Sequence, residues 1–197
     1  MEYNFFATIS RMKYINRWAL MRNSREENLS EHSLDVAMIA HCLCVIGNKR
    51  FGKNLDASKA ALIGLYHDSS EIITGDMPTP VKYYSEEIKD AYKQVEKVAE
   101  YKLLGKLPED IRPEFEEIFI GNNSKEEAYM RRLVKGADKI SALIKCIEEE
   151  KSGNQEFKTA KESTEKSIKK MEIELPELKV FMEEFLPAYG KTLDELS

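Results

Sequence analysis

Cysteine is scarce: Cys42, Cys44 and Cys146 are the three in 197 residues. An odd number with no Cys-x-x-Cys pair argues against both a disulfide framework and a zinc ribbon. Long apolar runs are missing too, and none approaches the roughly 20 residues that span a bilayer. The start, Met1-Glu2-Tyr3-Asn4, has neither the basic residues nor the apolar stretch of a signal peptide. A basic excess is absent. The net charge is −5, which argues against a surface that coats nucleic acid, because backbone binding needs clustered cations. The expectation is a cytoplasmic protein that uses neither nucleic acid nor membrane. Small anionic substrates stay open, since one arginine or one metal ion can dominate a pocket. With 42% hydrophobic and 33% charged residues, the chain has the composition of a folded globular domain.

Repeats, low-complexity tracts and period-two strand patterns are also lacking, whereas helical periodicity is common. Residues 4–22 carry Phe5, Ile9, Met12, Ile15 and Leu20 at mostly helical spacing. A second helix is expected from Asn28-Leu29-Ser30-Glu31 to about Gly47. Ser30 is read as its N-cap, with Ser33 in place of the Glu of a full capping box. A third helix should run from Asp56 to about Ile73. Thr74-Gly75-Asp76-Met77-Pro78-Thr79-Pro80 is the clear loop, because Gly and two prolines block a regular helix. Further helices are expected over 85–106, between Pro108 and Gly121, over 125–151, and over 154–186 with a break at Pro176. The fold class is all-α, a bundle of about seven helices.

Only three histidines occur, His32, His41 and His67. His67 is followed by Asp68 at the end of an apolar helix. Two ionisable side chains beside Ile63 and Leu65 are costly to bury unpaired, and chelating a cation removes that cost. Asp138 lies among small and apolar residues, with Gly136 and Ala137 allowing close approach by another element. Singly, each has an ordinary reading. A His-Asp pair arises by chance, Asp138 can pair with Lys135 or Lys139, and His32 beside Glu31 can be a surface residue. The joint order is what carries weight: His on an early helix, His-Asp ending the next, Asp on a late long helix. His32 and His41 are nine positions apart, on opposite faces at about 100° per residue. If His32 faces a site, His41 faces away. Glu71, four after His67, shares its face if the helix continues.

The order His, His-Asp, Asp resembles the HD superfamily of metal-dependent phosphohydrolases. The resemblance extends through Ile15-Asn16-Arg17-Trp18, Ser30-Glu31-His32-Ser33, Tyr66-His67-Asp68-Ser69-Ser70-Glu71 and Thr74-Gly75-Asp76-Met77-Pro78-Thr79-Pro80-Val81-Lys82-Tyr83. These segments are similar to the bacterial YfbR-type 5′-deoxynucleotidases over nearly the full length, with the Gly-Asp-x-Pro-Thr-Pro loop the most specific part. The resemblance implies one HD domain over 1–197 and one divalent ion of cobalt or manganese type, held by His32, His67, Asp68 and Asp138. It implies hydrolysis of deoxyribonucleoside 5′-monophosphates, with Glu71 and Asp76 moving protons. Nucleotide contacts are expected from Arg17, Trp18, His32, Asp68, Asp76, Met77, Pro78, Thr79 and Asp138. It also implies a homodimer.

Two rivals are weighed from the residues. A two-metal phosphodiesterase needs additional histidines, and a triphosphohydrolase needs more cations near the motifs; neither is present. A non-catalytic nucleotide-binding module has no use for Glu71 and Asp76 beside a complete ligand set.

Overall fold

The computed structural model describes residues 2–82, 84–122 and 124–197; Tyr83 and the side chains of Thr79 and Pro80 fall outside that description. Ten α-helices are seen among the described residues: α1 Phe5–Ile9, α2 Leu29–Arg50, α3 Ala57–Tyr66, α4 Glu71–Thr74, α5 Thr79–Lys82, α6 Glu86–Leu104, α7 Arg112–Phe119, α8 Lys125–Lys151, α9 Lys158–Glu172 and α10 Pro176–Glu184. Three of them are single turns, so the expected all-α bundle is what forms. No strand is present among the described residues.

The helix starts follow from capping. Asn28, not Ser30, caps α2. Its side chain accepts from the Ser30 and Glu31 backbone N–H groups, and Glu31 reaches back to the Asn28 N–H. The capping box is complete, shifted two residues upstream of the expected one. Ser124 caps α8 and Asp56 caps α3 in the same way. The first helix is shorter than its periodicity suggests. It ends at Ile9, a 3-10 turn carries the chain to Tyr14, and an irregular loop follows. Antiparallel pairing of Asn16 with Asn28 closes this loop, through Arg17 N–H to Glu27 C=O and Leu29 N–H to Ile15 C=O.

The main core joins α2, α3, α8, α9 and α10 around Leu43, Leu133, Ile140, Leu143 and Leu178. Each such side chain contributes about 1.5–3 kcal/mol on burial. A smaller aromatic cluster gathers Phe5, Leu103, Leu104 and Leu107 with Tyr66, Phe115 and Phe119. By length and composition α2 could cross a membrane, although charged and polar residues interrupt its apolar sequence; 56% of its apolar window is buried in the bundle. Its contacts with α3 and α8 mark it as the central core helix.

Glycine fixes how closely α2 and α3 approach. A Cβ on Gly64 would lie 2.9 Å from the Ala37 Cα and 3.0 Å from its N, which is backbone and cannot turn aside. Gly136 plays a similar part elsewhere, where a Cβ would meet the Leu178 methyls of α10 at 2.9 Å.

Candidate metal centre and nucleotide site

The close contact at Gly64 brings the end of α3 against the start of α2, and α8 crosses both. Four expected ligands meet there. His32 Nε2 is 3.5 Å from Asp68 Oδ2 and 3.3 Å from Asp138 Oδ1, while His67 Nε2 is 3.1 Å from Asp68 Oδ2. Ligand atoms of His32, His67 and Asp68 all lie within 4.8 Å of one another. Metal–ligand bonds of about 2.1 Å at roughly 90–110° put neighbouring donors about 3.0–3.4 Å apart. The cluster therefore has the spacing of a coordination sphere. His41 is exposed on the opposite side of α2, as its nine-residue offset requires.

The outward nitrogens of both rings settle which inward ones are free. His67 Nδ1 lies 2.7 Å from the Gly64 carbonyl. A carbonyl only accepts, so Nδ1 carries the proton and the neutral ring presents a lone pair at Nε2. His32 Nδ1 meets Ser141 Oγ at 3.1 Å and lies 3.6 Å from Glu27 Oε1. Both Nε2 atoms are buried and make no hydrogen bond, although buried polar atoms ordinarily find partners. Two orphaned lone pairs facing two carboxylates fit a divalent cation. With no ion between them, His67 and the two carboxylates shift one another. Burial pushes His67 down, but Asp68 and Asp138 outweigh it and lift it to about 9. Burial pushes Asp68 and Asp138 up, but the histidines, and Lys139 at Asp138, outweigh it; Asp68 falls to about 2 and Asp138 well below its ordinary value.

The flanking residues arrive from three segments. Arg17 comes from the irregular loop, not a helix end, and its Nη1 donates to Asp68 Oδ2 at 3.3 Å. Trp18 follows in the left-handed region at φ 56°, a strained place for a bulky L-residue. Its Nε1 donates to Glu27 Oε2 at 3.0 Å, and its ring meets Phe157 edge-on at 5.3 Å. The third helix does not continue to Ile73. It ends at Tyr66, and a turn leads into α4, with Ser69 N–H on Tyr66 C=O and Glu71 N–H on Asp68 C=O. Asp and Ser side chains favour such a local break over helix. Glu71 is still presented inward, as the first residue of α4. It is 5% exposed and its Oε2 has no partner. Burial, then Asp68 and Asp76, push its carboxyl up to about 9. Burial also raises Asp76, with Arg17 opposing. Met77 and Pro78 line the turn into α5, where Pro78 C=O accepts from Val81 and Lys82. The Thr79 side chain lies outside the described residues.

On the far side of His67 and Asp138 lies a cavity of about 220 Å³, walled by Ile63, Tyr66, Phe119, Val134 and Lys135 among others. The ligand cluster is therefore open to approach there. Two residues of the site were not read from the sequence. Ser141 could have been found as the position three after Asp138 on the same helix face. Glu27 gave no signal, because its role depends on how the loop closes.

The model of the family described as "5′-deoxynucleotidase YfbR-like" matches residues 4–189. The chain belongs to the YfbR-like 5′-deoxynucleotidase family. A 5′-deoxynucleotidase from Erwinia tasmaniensis is 48% identical over 194 residues, covering 98% of this chain and 96% of the relative. Among solved structures, an HD-domain phosphohydrolase from Listeria innocua superposes with TM-score 0.79 at 23% identity, covering 94% of this chain and 88% of that one. The cyanophage S-2L HD phosphohydrolase, solved with dA and one catalytic Zn2+, gives TM-score 0.51 at 23% identity over 72% of this chain and 69% of its own. These two likenesses establish the HD fold; the family match establishes a hydrolase of phosphoric monoesters.

Proposed function

We propose that this YfbR-like family member hydrolyses deoxyribonucleoside 5′-monophosphates to deoxyribonucleoside and phosphate with one divalent ion. The observation that carries it is the pair of unpartnered histidine nitrogens facing Asp68 and Asp138, with Arg17 and Glu71 alongside. His32, His67, Asp68 and Asp138 would hold the ion, and mixed imidazole and carboxylate donors suit cobalt or manganese better than magnesium. When bound, the ion supplies Lewis acidity toward a phosphoryl oxygen and toward water.

The chain's own residues do the rest. Arg17 offers a planar fork of donors to the phosphate. Water attacks phosphorus, the bond from phosphorus to O5′ breaks, and the 5′-oxygen takes a proton. Glu71, lifted to about 9, carries a proton at neutral pH in the ion-free site and is placed to move one; Asp76 assists from the loop. Trp18 forms the wall beside C2′. Its one polar atom is already committed to Glu27, so a ribose 2′-hydroxyl would be desolvated there without a partner. That costs about 1–3 kcal/mol, roughly tenfold to more than a hundredfold in rate. Base tolerance is expected, because few amide side chains border the site; Asn16 is exposed and reaches Glu26. A cytoplasmic homodimer belongs to the same proposal and rests on the family likeness.

The test is a phosphate-release screen of ribo and deoxy nucleoside 5′- and 3′-monophosphates with several divalent ions. The deoxy 5′-monophosphates should be preferred, and Glu71→Ala should lose about 10²–10⁴-fold while still binding metal and nucleotide. Equal use of 3′- and 5′-phosphates, or near wild-type turnover by Glu71→Ala, would overturn the proposal.

A further inference from the structure

One side chain touches both halves of the site. Glu27 Oε2 accepts from Trp18 Nε1 at 3.0 Å and lies 3.7 Å from Arg17 Nε. Its other oxygen, Oε1, lies 3.6 Å from His32 Nδ1. The carboxylate is 13% exposed, and its own backbone C=O accepts from the Arg17 N–H at 2.8 Å. Trp18 needs such support, because a left-handed backbone at a bulky residue persists only where the surroundings over-determine it. Further supports are the Phe157 edge, the Trp18 C=O, which accepts from Met21 N–H and Asn23 Nδ2, and the Asp76 carboxylate, which accepts from the Trp18 backbone. At His32 Nδ1 the hydrogen-bond partner is Ser141 Oγ at 3.1 Å; the Glu27 carboxylate adds a negative charge beside the same nitrogen, which favours a proton at Nδ1 and keeps Nε2 free.

We propose that Glu27 is a positioning residue that couples the sugar-discriminating wall to the ion site, holding the Trp18 indole with one oxygen and facing the His32 imidazole with the other. The proposal rests on reading Trp18 as the wall beside C2′. Its consequence is that sugar selectivity and ion affinity are set by one carboxylate that touches neither sugar nor ion.

Trp18 is the only tryptophan, so its fluorescence reports the wall directly, without metal or substrate. The experiment compares wild type, Glu27→Ala, Glu27→Gln, Trp18→Ala and Trp18→Ala/Glu27→Ala. In ion-free Glu27→Ala, acrylamide should quench Trp18 more readily than in wild type. The deoxy-to-ribo ratio of kcat/KM should narrow about tenfold, the effect expected when a hydrogen bond of about 1.4 kcal/mol is lost. Glu27→Gln keeps an amide oxygen for the indole, so quenching and the ratio should stay near wild type. Its loss of charge behind His32 should weaken cobalt or manganese affinity about 10–100-fold. The double variant should match Trp18→Ala in sugar selectivity, as expected if Glu27 acts through the indole.

Unchanged quenching and an unchanged ratio in Glu27→Ala would overturn the proposal. If Glu27→Ala fails to fold, Glu27→Gln decides: wild-type metal affinity overturns it, and a selective drop in metal affinity with wild-type quenching supports it. A wild type with no deoxy preference would sink the reading of Trp18 instead, and leave the quenching and metal arms to judge Glu27.

Discussion

Two buried polar clusters lie about two turns apart along α8, and they are built in opposite ways. At Asp138 and Ser141 the helix faces His32, His67 and Asp68, and the two inward histidine nitrogens have no hydrogen-bond partner. At Lys145 and Glu149 every polar atom is engaged. Glu149 accepts from Lys145 Nζ at 2.5 Å, from the Ser24 and Arg25 N–H groups at 2.8 and 3.3 Å, and from Asn154 Nδ2 at 2.7 Å. Lys145 also donates to the Arg25 carbonyl. One cluster is complete without a ligand, and it clamps the loop that carries Arg17 and Trp18. The other is completed only by something from outside. Burial and charge are common to both; what distinguishes a binding site from a structural latch is whether the lone pairs are already used.

The contrast can be broken by substitution. The largest effect should come from Asp68→Ala, which removes a ligand and the partner of Arg17. Phosphate release should fall to background while the chain stays folded, with a modest Tm loss from the broken Arg17–Asp68 contact. A parallel loss of fold by circular dichroism would place Asp68 with the latch instead. Next comes Glu149→Ala, with the signature reversed. Breaking a buried pair costs about 3 kcal/mol, or roughly 6–12 °C in Tm for a chain of this length. Metal content per folded chain should be kept. A Tm within a degree or two of wild type would contradict the latch.

Gly64→Ala should fall between the two. The added methyl pushes against the Ala37 backbone, at about 1–3 kcal/mol, and moves His67 away from His32. Weaker metal binding together with a modest Tm loss is expected; a Tm loss with wild-type metal affinity would show that the α2–α3 contact does not set the ligand spacing.

The smallest effects sharpen the comparison through pH. Burial pushes Glu149 up, but Lys145, the Ser24 N–H and Asn154 outweigh it and hold it near 2. Its contribution is present above the ordinary value of 4.5 and fades as pH falls toward 2. Glu71 has the opposite sign. Raised to about 9, it favours the fold at low pH, and that contribution is lost as pH rises from 4.5 through 9. In ion-free protein, Glu149→Gln should lower Tm, with a gap to wild type that closes as pH drops below 4.5. Glu71→Gln should raise Tm, by an amount that grows between pH 5 and 9. Melting curves from about pH 3 to pH 9 decide both, and gaps of the same sign and slope would contradict the assignment.

Much of this was legible in the sequence. The orientation of His41 followed from helical offset, the family resemblance named the four side chains that meet at the start of α2, and Lys125–Lys151 forms over the span its periodicity predicts. What escaped detection were features created by closure of the chain. The first helix stops at Ile9 because its later apolar residues serve a loop, not a helix face. The third helix breaks at Tyr66, although its pattern runs on, because the residues around Asp68 form turns as readily as helix. Asn28 captured the cap because its box partner, Glu31, sits three residues on. Glu27, the Lys145–Glu149 clamp and the close approach at Gly64 depend on contacts between distant segments, which spacing along the chain does not encode.

The most direct test of the central claim is elemental analysis of the purified chain beside Asp68→Ala and Glu149→Gln, with folding checked by circular dichroism. The unpartnered cluster predicts one transition-metal ion per chain in wild type and in Glu149→Gln, and loss of that ion in Asp68→Ala. Two ions per wild-type chain, or wild-type metal content in Asp68→Ala, would contradict it.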